Sequence, residues 1–338
     1  MKSRALWFDA PYQVAVRDVT LPALTPDQVL VQTDVSAISA GTELLFYRGQ
    51  VPANMALDAT LTSLAGEVRY PLRYGYACVG QVIECGAQVA AEWRDRRVFS
   101  FQPHASHFIA TPTELLPLPP ELDPRCAAFL PNMETAINFV LDGAPRIGEQ
   151  VVVLGQGVVG LLTTAVLAQF PLQQLLTFDR YGVRREKSRR LGATAVFDPM
   201  ESADLKSAQE FLGEVGADVV YELSGNPDAL NLAIELAGFA GRIVVGSWYG
   251  RKSVALDLGG RFHRSRLRLI SSQVSTLTPE LLARWDKSRR MDVAWSMLAR
   301  VPVGDLITQT FSIEDAAQAY TLLDRQPEQA VQILFRYQ

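Results

Sequence analysis

The sequence predicts an α/β protein in which an all-β region precedes a doubly wound parallel sheet. Three features predict it. Residues 1–110 hold short apolar stretches interrupted by Pro and Gly, the mark of brief strands. Residues 130–270 hold β-branched apolar runs separated by segments of helix length, as strands covered by helices on both faces require. The first of these runs passes directly into a Gly-x-Gly-x-x-Gly turn.

Taken in order, the expected N-terminal strands are Val14–Val16, Val29–Val31, Cys78–Ile83, Arg97–Phe101 and Phe108–Ile109. The expected strands of the parallel sheet are Val151–Leu154, Leu175–Phe178, Ala195–Phe197, Val219–Tyr221 and Ile243–Val245, alternating with helices in a βαβαβ order. A helix is expected over Ile313–Leu323, with Ser312 placed to cap it and Asp315 in its first turn, followed by a last strand over Val331–Phe335. The domains read as 1–128 for the β-rich part, 129–272 for the parallel sheet and 273–338 for a return to the first domain. No internal repeat or low-complexity tract is visible.

Composition narrows the function classes. With 48% hydrophobic and 20% charged residues, the 338-residue chain can bury a large core, and its length suits about two domains. The 32 Lys and Arg against 36 Asp and Glu leave a formal charge of −4, which gives no global reason to bind nucleic acid or an anionic membrane. The expected partner is a small molecule. The apolar runs fall far short of the ~18 residues of a spanning helix, and the N-terminus meets Asp9 after only four apolar residues, so no secretion signal and no membrane span are expected. Three cysteines, Cys78, Cys85 and Cys126, make neither a disulfide framework nor paired CxxC zinc motifs. A reducing, cytoplasmic location is expected, and a homodimer is kept open.

The most specific motif is Gly155-Gln156-Gly157-Val158-Val159-Gly160, between the strand Val151–Leu154 and a helix over Leu161–Gln169. In this setting Gly155 allows a tight turn, Gly157 lets backbone approach a pyrophosphate, and Gly160 lets the helix pack on the strand. The helix N-terminus, including Val158, offers free N–H groups and the positive end of the dipole to phosphates. Asp179 stands at the end of the second strand, about 20 residues beyond Gly160, where a carboxylate accepts ribose hydroxyls. The neighbours Arg180, Arg184 and Arg185 suit a 2′-phosphate instead. NAD is favoured, and NADP stays open.

Those segments, with Ser36–Glu43, Gly75–Gly86, Pro117-Leu118-Pro119, Leu191-Gly192-Ala193 and the strand-end Gly246, resemble the medium-chain dehydrogenase/reductase superfamily over nearly the whole chain. The resemblance implies a Rossmann domain joined to a GroES-like β-barrel domain, and Ala40-Gly41-Thr42-Glu43 is most similar to the branch with bacteriochlorophyllide hydroxyethyl dehydrogenases. It places Thr135, Ser224 and Gly246 at the cofactor and Thr42 at a proton-relay hydroxyl, with Glu43 as a structural carboxylate. The zinc-binding pattern of the superfamily is broken: Ala40, Tyr76 and Phe129 or Leu130 stand at the three ligand positions. A catalytic zinc needs three N, O or S donors, so a zinc-independent member with no metal site is expected.

Hydride transfer also needs a group to meet the charge developing on the substrate oxygen. Tyr76 stands at a ligand position where a phenol could donate to that oxygen, or it could be an aromatic that fills the space. Glu134, beside Thr135, reads as a candidate acid or base or as a helix-surface carboxylate. His104 and His107 have the spacing of a helical pair, yet they precede an expected strand and lack a third donor, so a polar or surface position is expected. In Arg261-Phe262-His263-Arg264-Ser265-Arg266-Leu267-Arg268, the alternation puts Arg264, Arg266 and Arg268 on one strand face, solvated or receiving a substrate carboxylate or phosphate. The leading expectation is a zinc-independent NAD(P)-dependent oxidoreductase acting on a carbonyl or secondary alcohol. An enone or quinone reductase of the same fold and a non-catalytic dinucleotide sensor remain as alternatives.

Overall fold

The computed structural model describes residues 1–52, 55–58 and 61–337. The chain divides into two units, Met1–Pro131 with Pro302–Gln338, and Asn132–Val301. The sequence expectation put the return to the first domain at residue 273, and the chain makes it at 302. The reason is the helix Lys287–Leu298, whose fully buried Arg290 is paired with Glu134 and Asn138 of the second unit.

In the first unit, Lys2–Ala10 and Gln13–Thr20 form an antiparallel hairpin. A seven-stranded mixed sheet is organised around Val29–Ala37, which pairs with Cys78–Cys85 on one side and with His107–Ala110 and Gln332–Arg336 on the other. Val29, Val31, Val82, Val98 and Phe108 point into one buried cluster, because alternate residues of paired strands share a face. The expected all-β region is interrupted by the helix Ala40–Tyr47 directly after that strand. The turn forms because the Glu43 carboxylate reaches back to accept from the Ser39 amide at 2.7 Å, satisfying one of the orphan donors of a helix start. Near the C-terminus, Ser312 caps a short 3-10 turn, Ile313–Asp315, and the α-helix proper runs Ala316–Arg325.

The second unit has six parallel strands in the order Ala195–Phe197, Gln174–Phe178, Gln150–Leu154, Ala217–Glu222, Ala237–Val245 and Arg268–Ser271. Numbered along the chain this is 3-2-1-4-5-6, the doubly wound Rossmann arrangement, with its switch point between the first and fourth strands. Val151, Val152, Val153, Val219 and Val220 are fully buried, as expected for central strands covered on both faces.

The basic stretch departs from its expected strand. Asp257 accepts from the amides of Gly259 and Gly260 and starts a helical turn over Leu258–Phe262. Arg266 then sits at φ 54°, and the strand begins only at Arg268. A left-handed residue breaks the period of two, so Arg264, Arg266 and Arg268 do not share a strand face. Arg261 donates to the carbonyl of Ala237.

Candidate active site

In the first unit the side chains of the expected chemistry meet at the start of the helix Ala40–Tyr47. Tyr76 lies on the extended segment before the strand Cys78–Cys85. Its hydroxyl donates to the Ser39 hydroxyl and stands 3.3 Å from Oγ1 of Thr42. Burial pushes the Tyr76 phenol up to about 12, against the opposing pull of its bonds to Ser39 and Thr42. At neutral pH the group is therefore a protonated donor.

Behind this cluster lies a buried polar chain. Glu43 is fully buried and accepts from the Ser39 amide, from the Tyr320 hydroxyl and from His104 Nε2 at 3.1 Å. The other ring nitrogen of His104 is 2.7 Å from the Ser36 hydroxyl, which in turn meets the Tyr337 hydroxyl at 2.6 Å. Such a chain is fully partnered, which is the condition under which buried polar groups rigidify rather than weaken a fold. His104 is thus neither a surface residue nor half of a helical pair. Its ring packs against Gly75, where any side chain would meet it at 2.6 Å. His107 starts a strand and bonds to Ser106. Ser39 and the Glu43–His104 pair were not anticipated as a unit; the Glu43 and His104 positions lie 61 residues apart, and no local pattern links them.

In the second unit the glycine loop has the geometry its spacing implied. Gly155 has φ 92°, and a Cβ there would lie 2.4 Å from the Cα of Ser224. A Cβ on Gly160 would lie 2.0 Å from the carbonyl of Gly155. Gly157 is the exception: nothing lies within 4 Å of the space its Cβ would fill. It is also the N-cap of the helix Val158–Leu167 and has no side chain to cap it, so first-turn amides such as that of Val158 are left for a ligand. An open cradle beside uncapped amides fits a pyrophosphate.

Asp179 follows the strand Gln174–Phe178 and is nearly buried. One of its oxygens accepts from the Gln156 amide and the other from the Tyr181 amide, both at 2.8 Å, and Arg184 approaches to 3.8 Å. Arg180 is exposed and lies over the Tyr181 ring at 4.6 Å. Ser224 donates to Glu222 at the end of the strand Ala217–Glu222, and Gly246 accepts no side chain because Phe139 and Leu223 fill that space at 2.4 and 2.6 Å. Thr135 lies on the helix Leu130–Gly143, partly exposed. Its neighbour Glu134 is not on the helix surface: it is buried and accepts from Arg290 Nη2 at 2.8 Å and Nε at 3.2 Å.

The donor chemistry does not fit zinc. Ala40 has no donor, Phe129 and Leu130 are fully buried hydrocarbon, and Tyr76 is a neutral phenol. Among the described residues no three His, Cys, Asp or Glu side chains converge on a point that could hold a metal ion.

The strand order defines a Rossmann-type sheet, and its glycine loop fits the pyrophosphate of a dinucleotide. Comparison with known proteins agrees. Residues 158–286 match a family model described as zinc-binding dehydrogenase. The chain is similar to D-guloside 3-dehydrogenase of Escherichia coli, 23% identical over 339 aligned residues covering 96% of this chain and 97% of that one. It is also similar to D-xylulose reductase A of Aspergillus oryzae, 28% identical over 212 residues covering 60% and 55%. Among solved structures, 2R,3R-butanediol dehydrogenase from Bacillus subtilis superposes with a TM-score of 0.80 at 19% identity, covering 99% of both chains. Among the described residues no helix is long and apolar enough to cross a membrane.

Proposed function

We propose that the protein is a zinc-independent dehydrogenase that interconverts a secondary alcohol and a ketone, with the Tyr76 phenol in the role that a metal plays in zinc-dependent relatives. The observation that carries this is the neutral Tyr76 hydroxyl, held between Ser39 and Thr42 at a position where the metal-ligand pattern is broken. A ketone oxygen gains negative charge as hydride reaches its carbon, and a donor aimed at that oxygen stabilises the transition state more than the ground state. When the phenol proton turns from Ser39 to a substrate oxygen, the Thr42 hydroxyl, 3.3 Å away, is within reach to donate to the phenol oxygen and strengthen its O–H as a donor. The buried Glu43–His104–Ser36 chain holds the helix start and fixes where Ser39 and Thr42 point.

A dinucleotide bound by Gly155–Gly160, Asp179, Ser224 and Gly246 supplies or accepts the hydride. NAD is favoured over NADP because Asp179 places a carboxylate at the strand end, where it repels a 2′-phosphate. The names of the relatives, a guloside dehydrogenase and a xylulose reductase, support a hydroxylated small molecule as substrate. The test is a panel of keto sugars, polyols, simple ketones, enones and quinones, with NADH and NADPH or their oxidised forms, followed by nicotinamide absorbance. Turnover of ketones or secondary alcohols in the presence of a chelator is expected. Turnover of enones or quinones alone would overturn the proposal.

A further inference from the structure

Glu222 is a fully buried carboxylate that the proposed reaction does not use, and among the described residues no cation lies within ion-pairing distance of it. It ends the strand Ala217–Glu222, the fourth of the parallel sheet and one wall of the switch-point crevice where doubly wound sheets take their ligands. A buried charge is costly unless donors meet it. Here the donors come from two different loops. One oxygen accepts from the Ser224 amide at 2.8 Å and from the Ser224 hydroxyl. The other accepts from the hydroxyl of Tyr249, in the segment after the fifth strand. Burial, and after it the Glu222 charge, pushes the Tyr249 phenol up, so it stays a protonated donor at neutral pH.

Three further bonds join the same two loops. The Gly246 amide donates to the Glu222 carbonyl at 3.1 Å, the Gly225 amide to the Ser247 hydroxyl at 2.9 Å, and Lys252 Nζ to the Gly225 carbonyl at 2.7 Å. On its other side the turn is pressed against the glycine loop, where Gly155 leaves no room for a Cβ beside Ser224. The Glu222 side chain is the one group that bonds both to Ser224 and to Tyr249. The glycine loop and Asp179 belong to the first three strands, which form one mononucleotide-binding half of the sheet. The loops after the fourth and fifth strands belong to the other half, which falls to the nicotinamide.

We propose that Glu222 is a positioning residue for the nicotinamide half of the cofactor: by fixing Ser224 and tying it to Tyr249, it holds the two loops as one wall of the crevice before the cofactor arrives. A wall that is already ordered spares the cofactor the cost of ordering it. Without the carboxylate, the Ser224 amide and the Tyr249 hydroxyl lose their acceptor and the loops are free to part. This role presupposes the dinucleotide reading above, because Ser224 and Gly246 act on a cofactor only in that reading.

Calorimetric titration of the full chain with NAD and with ADP tests it, since ADP reports on the adenosine half alone. Glu222→Ala should weaken NAD at least about 10-fold while ADP stays within about 2-fold of wild type. Glu222→Gln keeps one acceptor oxygen and should fall between, and Tyr249→Phe should weaken NAD several-fold, again without effect on ADP. General damage to the second unit would weaken both ligands together. The proposal is overturned if Glu222→Ala binds NAD as wild type does, or if NAD and ADP weaken equally. Should Glu222→Ala fail to fold, Glu222→Gln and Tyr249→Phe decide: a loss confined to NAD in either supports the role, and wild-type affinity or an equal loss of both ligands in both variants overturns it. A wild type that binds neither NAD nor ADP defeats the dinucleotide reading and this role with it, whereas a wild type that binds both, with variants that do not discriminate, defeats this role alone.

Discussion

Glu134→Gln separates a supporting role for this carboxylate from a chemical one. In the structure, Glu134 and Arg290 have side chains only 4% and 1% exposed, and the carboxylate takes two of the guanidinium's N–H groups. The remaining N–H groups go to the side-chain oxygen of Asn138 and to the carbonyls of Val274 and Thr276. The amide keeps the shape of the carboxylate and removes its charge, which leaves a buried cation with only neutral acceptors. Breaking a buried pair in this way costs about 3 to 5 kcal/mol, and at roughly 2 to 4 °C per kcal/mol for a unit of this size the transition should fall by about 6 to 20 °C. Thermal unfolding followed by circular dichroism gives the shift, and turnover measured well below the transition should stay within a few-fold of the parent. The double variant Glu134→Leu with Arg290→Met should recover much of the loss, because an apolar pair of similar volume replaces the ion pair. Wild-type stability together with a fall in turnover of more than 100-fold would refute this reasoning and make Glu134 an acid or base of the reaction.

The glycine loop gives a paired prediction. Gly155→Ala forces a left-handed backbone on alanine and drives its Cβ to 2.4 Å from the Cα of Ser224, so the second unit should lose more than about 1 kcal/mol in chemical denaturation; Gly157→Ala has open space and should leave stability unchanged while weakening NAD binding at least 10-fold in calorimetry. At the strand end, Asp179→Ser should weaken NAD by about 1.5 to 3 kcal/mol and relax discrimination against NADP, with cofactor fluorescence titration as the measurement. A wild type that strongly prefers NADP would instead give Arg180 and Arg184 the decisive contact.

The parallel sheet was legible because its signal is local: Val151, Val152 and Val153 lie side by side in sequence and in the core, and the turn that follows needs its glycines at fixed positions. Thr42 and Tyr76 were also readable as residues of interest, and the structure brings their hydroxyls to 3.3 Å. The supporting groups were not readable, for one physical reason. Glu134 and Arg290 are 156 residues apart, so neither the buried pair nor the placement of residues 273–301 with the second unit leaves a periodic trace. The alternation in Arg264, Arg266 and Arg268 did suggest a strand, and one left-handed backbone at Arg266 was enough to break it.

In the proposed reaction a phenol, rather than a metal ion, meets the substrate oxygen. The most direct test is the single-turnover rate of NADH oxidation by a ketone from the panel, compared between wild type and Tyr76→Phe in the presence of a chelator. The substitution keeps the ring and removes only the hydroxyl. With the phenol at about 12, the donor is complete at neutral pH and is lost only as pH rises through that value, so Tyr76 should add no alkaline limb to the wild-type profile below about pH 11. The predicted result is a rate 10- to 1,000-fold lower in Tyr76→Phe, with NADH affinity unchanged and no effect of chelator on wild type. A wild-type rate in Tyr76→Phe, or a wild-type rate abolished by chelation and restored by zinc, would contradict it.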